Sequence, residues 1–164
     1  MFDVTPITSP RRNDCGATCL KMLLAYYKIE VDLETLIKEC RVTRKGCTLA
    51  DINRAGRAHG LDMVSYEDGD SGNSVAWDGA TKQDRPCIVW WRKNHFVVCC
   101  GLDDDGKVVI CDPDVGRYRI TQGTFDSYNS NVFAFNGVPD NLKNVTEPKE
   151  ENSNEEPPVD GQPS

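Results

Sequence analysis

The chain has only two histidines, no Gly-Gly pair and no apolar run longer than the seven residues Phe96 to Leu102. A helix that crosses a bilayer needs about 20 apolar residues, so no membrane span is expected. Met1 to Arg12 has neither the charged head nor the apolar stretch of a secretory signal, which predicts a cytoplasmic product. The eight cysteines are then expected to be mostly thiols. Basic charge is also short: 19 Lys and Arg stand against 26 Asp and Glu, a net charge of -7. Without a basic stripe to neutralise phosphates, a nucleic-acid partner is excluded. Zinc would want C-x-x-C or H-x-x-x-H spacing, whereas the cysteines fall as Cys15/Cys19, Cys40/Cys47 and the adjacent Cys99/Cys100, so no metal is expected. Asp103 to Asp105 is too short an acidic run for a calcium loop and reads as a solvated turn. Asn144-Val145-Thr146 matches a glycosylation sequon but has no role without secretion.

What is present is enough for one domain of 164 residues,. Residues 139–164 hold five of the nine prolines and seven acidic against two basic residues, with Leu142, Val145 and Val159 as the only aliphatics. They cannot bury enough surface to fold and are read as a disordered acidic tail, a solubilising appendage or a tether to a partner. Residues 1–138, the predicted folded domain, carry a net charge of only -2.

The first half has helical signals. Asp14 is placed to cap Cys15 to Tyr27, which is apolar nearly all round and must be buried centrally. Asp32 caps Leu33 to Glu39, and Thr48 with Asp51 makes a capping-box start to a third helix that ends before Gly60. Lys45-Gly46 marks the turn between them. Leu61 to Tyr66 reads as a strand. Glu67 to Asp84 reads as an exposed loop with at most a helical turn near Val75 to Trp77. From Pro86 the pattern turns to β: Cys87 to Trp91, His95 to Leu102, Lys107 to Cys111, Arg117 to Ile120 and Asn131 to Phe135. Helices followed by an antiparallel sheet make an α+β fold.

Cys15 is the most informative position. In the first turn of a helix, free amides and the positive end of the dipole favour a thiolate, which is where a nucleophile belongs. Cys19, Cys87, Cys99, Cys100 and Cys111 read as small buried hydrophobes. His95 begins a strand after the turn Arg92-Lys93-Asn94, and a lone histidine there is more often structural than catalytic. Asp112 changes that balance. If Asp103 to Gly106 is a four-residue hairpin loop, Leu102 faces Lys107, Val97 lies opposite Asp112, and His95 is the diagonal neighbour of Asp112 on the same face. A two-residue loop would move the two a further pair apart, so register decides whether they meet. On this reading the Cys15 helix packs on the face of His95, Val97 and Cys99. His59, near a helix end, reads as a partner for the C-terminal dipole.

The run Asn13-Asp14-Cys15-Gly16-Ala17-Thr18-Cys19 continuing to Tyr26-Tyr27 resembles the bacteriocin-processing double-glycine leader peptidases, a papain-like cysteine peptidase family. So do Gly46-Cys47-Thr48-Leu49, Pro86-Cys87-Ile88-Val89-Trp90-Trp91, His95-Phe96-Val97-Val98 and Asp112-Pro113-Asp114-Val115-Gly116, in that order. Cys15 precedes His95 by 80 residues and His95 precedes Asp112 by 17. The resemblance implies a papain-like fold, with an N-terminal helical lobe carrying a buried nucleophile helix packed on a C-terminal antiparallel sheet. It makes Cys15 the nucleophile, His95 the general base and later acid, and Asp112 the group that orients the imidazole. It also implies a peptide or protein substrate with glycine-like residues before the cut, and no metal or organic cofactor. Without a Gly-Gly pair, self-processing is not expected, and Gly79-Ala80 is the only looser candidate outside the nucleophile helix.

Two departures from the family stand out. Six residues before the nucleophile, where the family carries a glutamine that helps hold the oxyanion, this chain has Ser9. Serine reaches less far and donates one proton, and loss of an oxyanion donor costs on the order of 10² to 10³ in rate, unless Asn13 or another group substitutes. The glycine expected after Tyr26-Tyr27 is Lys28. Three functions are compatible with these residues: a cysteine peptidase; a weakened module that keeps the cleft and binds a peptide or partner; and acyl transfer to an amine through the same three residues.

Overall fold

A computed structural model describes residues 1–67 and 84–142. The loop expected over 67–84 and its Gly79-Ala80 lie almost wholly outside these, as do the sequon at 144–146 and the tail beyond 142. A short 3-10 turn, Arg12–Asp14, leads into α1, Cys15–Tyr26, followed by α2, Leu33–Glu39, and α3, Leu49–Ala58. The strands are β1, Met63–Glu67; β2, Cys87–Trp91; β3, His95–Leu102; β4, Val108–Asp112; and β5, Gly116–Ile120. A seven-residue helix, α4, Gln122–Tyr128, runs into the last strand, β6, Asn129–Asn136. The six strands form one antiparallel sheet in the order β1-β6-β2-β3-β4-β5, and the α+β fold class read from the sequence holds.

Local chemistry explains most of the boundaries. Thr48 and Asp51 form the reciprocal capping box at the start of α3, which satisfies two otherwise orphaned amides. Two residues past the end of α1, Lys28 has a φ of +66°, the left-handed conformation a glycine usually supplies. That accounts for the family's preference at this position. His59 ends α3 with its Nε2 2.6 Å from Glu39, so it ties α3 to the end of α2 besides sitting at a helix terminus. α4 was not expected. Gly123 weakens its helical signal, but Thr121 supplies a cap, its hydroxyl accepting from the Thr124 amide at 3.1 Å,.

Both faces of the sheet are buried. One face, with Ile88, Trp90, Phe96, Val98, Cys100, Val109 and Cys111, packs against Leu20, Leu23 and Leu24 of α1 and against α2 and α3. The other, with Val89, Trp91, Val97, Cys99, Val108 and Ile110, is closed by Phe125 of α4 and by Leu142. Each fully buried Leu or Phe contributes about 1.5–3 kcal/mol, so these two layers hold the fold. Leu142 is buried within a 3-10 turn, Asp140–Leu142, so the packed part of the chain extends past residue 138.

The helical layer lies on the face opposite to the one expected. α1 packs on the side of Phe96, Val98 and Cys100, not on that of Val97 and Cys99. The physical reason is that β3 is apolar on both sides, its first seven residues all buried, so alternation cannot tell which face receives the helix.

Candidate active site

The β3–β4 register places the acid against the base. Val98 pairs with Cys111 and Cys99 with Ile110, the pairing that sets Val97 opposite Asp112. Nearer the hairpin a bulge at Gly101, φ +84°, shifts the register, so Leu102 faces Val108 and not Lys107,. The slip lies beyond the site and leaves it intact. His95 Nε2 is 2.7 Å from Asp112 Oδ1, and both residues are buried.

Asp112 is held on three sides. Its Oδ1 accepts the Asp114 amide at 2.9 Å as well as the imidazole, and its Oδ2 accepts the Tyr118 hydroxyl at 2.9 Å. Burial works against its charge, but the bonds from His95, Asp114 and Tyr118 outweigh that and hold the carboxyl below its usual range,. Burial and then the Asp112 charge push the Tyr118 hydroxyl up, so it stays a donor. Tyr118 was not foreseen, although the diagonal rule that pairs His95 with Asp112 would have found it: Ile110 pairs with Tyr118 and Asp112 with Gly116,.

Cys15 reaches this corner from the far side. His95 is the first residue of β3 and Asp112 the last of β4, so both stand at the rim of the sheet, where α1 begins. The ring meets Cys15 as well as Asp112. Burial lowers the imidazole's affinity for a proton, yet the Asp112 bond, then the Cys15 bond and charge, raise it from 6.5 to about 10. With Nε2 taken by Asp112 and Nδ1 buried without a hydrogen-bond partner, Nδ1 is the nitrogen left for the sulfur. The three sequence-predicted residues therefore come together.

Gly16 allows that approach. A Cβ on it would sit 2.7 Å from Cys47 Sγ and 2.8 Å from Ile52 Cδ1, so the start of α1 is pressed against α3. Asp14 does not cap α1 with its side chain. It is fully buried and pairs with Arg11 at 3.0 Å, and the preceding 3-10 turn satisfies the chain instead.

The expected oxyanion donors are each engaged. The Ser9 hydroxyl donates to Thr18 Oγ1 at 2.9 Å, Asn13 Nδ2 donates to the Thr43 carbonyl at 2.8 Å, and the Cys15 amide donates to the Arg12 carbonyl. Asn13 alone has a second amide proton to offer.

Among the described residues, His95, Asp112 and Asp114 could hold a cation, each with a ligand atom within 4.8 Å of the others. Two of those atoms already share the His95–Asp112 bond, which is reason enough for them to be close. All eight cysteines are free and buried.

Comparison with known proteins points one way. The Peptidase C39 family model matches residues 4–136. The colicin V secretion/processing ATP-binding protein of Escherichia coli is 29% identical over 119 residues, covering 73% of this chain and 16% of that protein. The lactococcin-G-processing and transport ATP-binding protein of Lactococcus lactis is 25% identical over 128 residues, 74% of this chain and 17% of that protein. The chain thus spans less than a fifth of the length of these relatives. Among solved structures, a double glycine motif protease from an AMS/PCAT transporter, in complex with the leader peptide, superposes with a TM-score of 0.71. It has 30% identity and covers 82% of this chain and 91% of that one. The peptidase domain of Streptococcus ComA, at 20% identity, shares the fold with a TM-score of 0.70 over 80% of this chain and 96% of that one.

Proposed function

The chain belongs to the Peptidase C39 family, a cysteine peptidase family, and on that footing we propose that Cys15, His95 and Asp112 form its catalytic triad. The observation that carries this reading is the 2.7 Å bond from His95 Nε2 to Asp112 on a ring whose proton affinity the nearby Cys15 also raises. The Cys15 thiolate attacks the peptide carbonyl and forms a C–S bond. The tetrahedral oxyanion collapses, the C–N bond breaks, and the proton on His95 Nδ1 passes to the departing amine. Neutral His95 then takes a proton from water, which attacks the thioester and returns the thiolate. Asp112 fixes the ring and stabilises its charged form throughout.

The substrate proposed is a peptide with glycine-like residues before the cut, supported by the solved relative described as a double glycine motif protease in complex with the leader peptide. No helix among the described residues is long and apolar enough to cross a membrane. The relatives are named as ATP-binding proteins of secretion or transport and processing, which supports work on the cytoplasmic side, where ATP is found. The acidic stretch after residue 138 is assigned a solubilising role, with tethering to a partner as its alternative.

The engaged oxyanion donors favour a second reading, a peptide-binding module with weak turnover. Incubation with Gly-Gly and Gly-Ala peptides, beside Cys15→Ala, separates the two. The peptidase reading expects cleavage by the native protein and a loss on the order of 10⁴ or more in the variant. Equal behaviour of the two proteins leaves only binding.

A further inference from the structure

The leaving amine receives its proton from His95, so the segment after the cut must lie on the imidazole side of Cys15, and the acyl half on the other. On the imidazole side lies a cleft of about 450 Å³. His95 and Asp112 form part of its wall, with Arg12, Arg92, Asp114 and Tyr128 around them, and Cys15 is not part of its lining. We propose that this cleft holds the first residues after the scissile bond and selects acidic side chains there through Arg12 and Arg92. The inference rests on the peptidase reading and adds the substrate's charge to it.

The charge pattern carries the selection. Arg12 is exposed and has no ion-pair partner among the described residues. Arg92 is exposed, with its guanidinium 4.6 Å from the centroid of the Tyr128 ring. Its amide donates to the Tyr128 carbonyl at 2.7 Å. Stacking leaves the edge of the guanidinium free for hydrogen bonds while fixing its plane.

The acidic side of the cleft is largely spent. Asp112 is saturated by His95, Tyr118 and the Asp114 amide. Asp114 lies 3.7 Å from His95 Nε2, so among the groups that line the cleft, which exclude the Cys15 thiolate, the charged ring faces two carboxylates and leaves one negative charge. Two guanidiniums outweigh it. A carboxylate after the cut gains charge-assisted hydrogen bonds from either arginine, whereas a lysine there meets repulsion from both.

The test uses three peptides that differ only by Asp, Asn or Lys at the first or second position after a Gly-Gly cut. Cleavage of the Asn peptide by the native protein, but not by Cys15→Ala, reports on the peptidase reading alone. For the subsite, kcat/KM is expected to favour Asp over Lys by about fivefold at ~50 mM salt and to lose most of that ratio at ~500 mM. Arg92→Glu is expected to narrow or invert the Asp-to-Lys ratio, a comparison internal to the variant and so independent of its overall activity. Equal rates for Asp and Lys at both positions, from a protein that cuts the Asn peptide, overturn the subsite and leave the peptidase reading standing. If no peptide is cut, titration of the Cys15→Ala protein with the Asp and Lys peptides decides the matter. Tighter binding of the Asp peptide supports the subsite, and equal affinity overturns it.

Discussion

Cys15 and His95 are neighbours held by different forces. The thiol is set by apolar close packing: α1 is buried along its core-facing side, and Gly16 lets it press on Cys47 and Ile52. The imidazole is set by polar contacts: Asp112 is bonded by His95, by Tyr118 and by the Asp114 amide within a hairpin corner. Packing is tolerant of chemistry and intolerant of volume. A hydrogen-bonded corner has the opposite sensitivity, because losing one atom leaves a buried partner unpaired. Changes on the Cys15 side should thus act first on stability, and changes on the His95 side first on turnover and its pH dependence.

Short of removing the Cys15 thiol itself, the largest effect is expected from Asp112→Asn, which keeps the shape and removes the charge. Turnover should fall by about 10² to 10⁴ with the circular dichroism spectrum unchanged. The pH profile should move with it. The native ring titrates near 10, above its ordinary 6.5, so its charged form stabilises the fold in full below 6.5, and both this contribution and the proton given to the leaving amine are lost as pH rises through about 10. Removing the Asp112 bond takes away the leading upward influence, so the alkaline limb of kcat/KM should shift to lower pH.

Gly16→Ala tests the other side. The added methyl collides with Cys47 and Ile52, and a loss of about 1–3 kcal/mol in urea unfolding is expected; an unchanged midpoint would remove the packing half of the contrast. Tyr118→Phe deletes one of the bonds that anchor Asp112. It should lower kcat by about three- to tenfold with KM unchanged and move the alkaline limb slightly down, whereas a purely structural tyrosine would leave the pH profile where it is. Smallest of all, Lys28→Gly relieves a side chain from a φ of +66° and should raise stability by up to about 1 kcal/mol with activity unaltered.

The same contrast decides what could be read from the sequence. The Thr48/Asp51 capping box, the apolar run of α1 and the strand pattern after Pro86 are local or periodic signals, and they led to the helices and the sheet, whereas the roles proposed for Cys15, His95 and Asp112 came from the family resemblance. The face on which α1 packs was not legible, because Val97 and Val98 are equally apolar and equally buried. Asp14 looked like a cap because of its type and place, but a 3-10 turn and the charge of Arg11 competed for it. The short α4 was obscured by Gly123. The engagement of Ser9, Asn13 and the Cys15 amide depends on partners nine to thirty residues away or on turn geometry, which no motif records.

The proposed triad requires that His95 activate Cys15 and no other thiol. Its strongest rival by charge is Cys111, drawn down to about 7 by the Cys100 bond and by Arg117. Limiting iodoacetamide at mildly acidic pH, followed by mapping of the adducts in the native protein and in His95→Ala, tests the claim directly. Cys15 is expected to be labelled ahead of the other seven cysteines, and the preference to disappear in the variant. Labelling that falls first on Cys111, or that is the same with and without the imidazole, would contradict it.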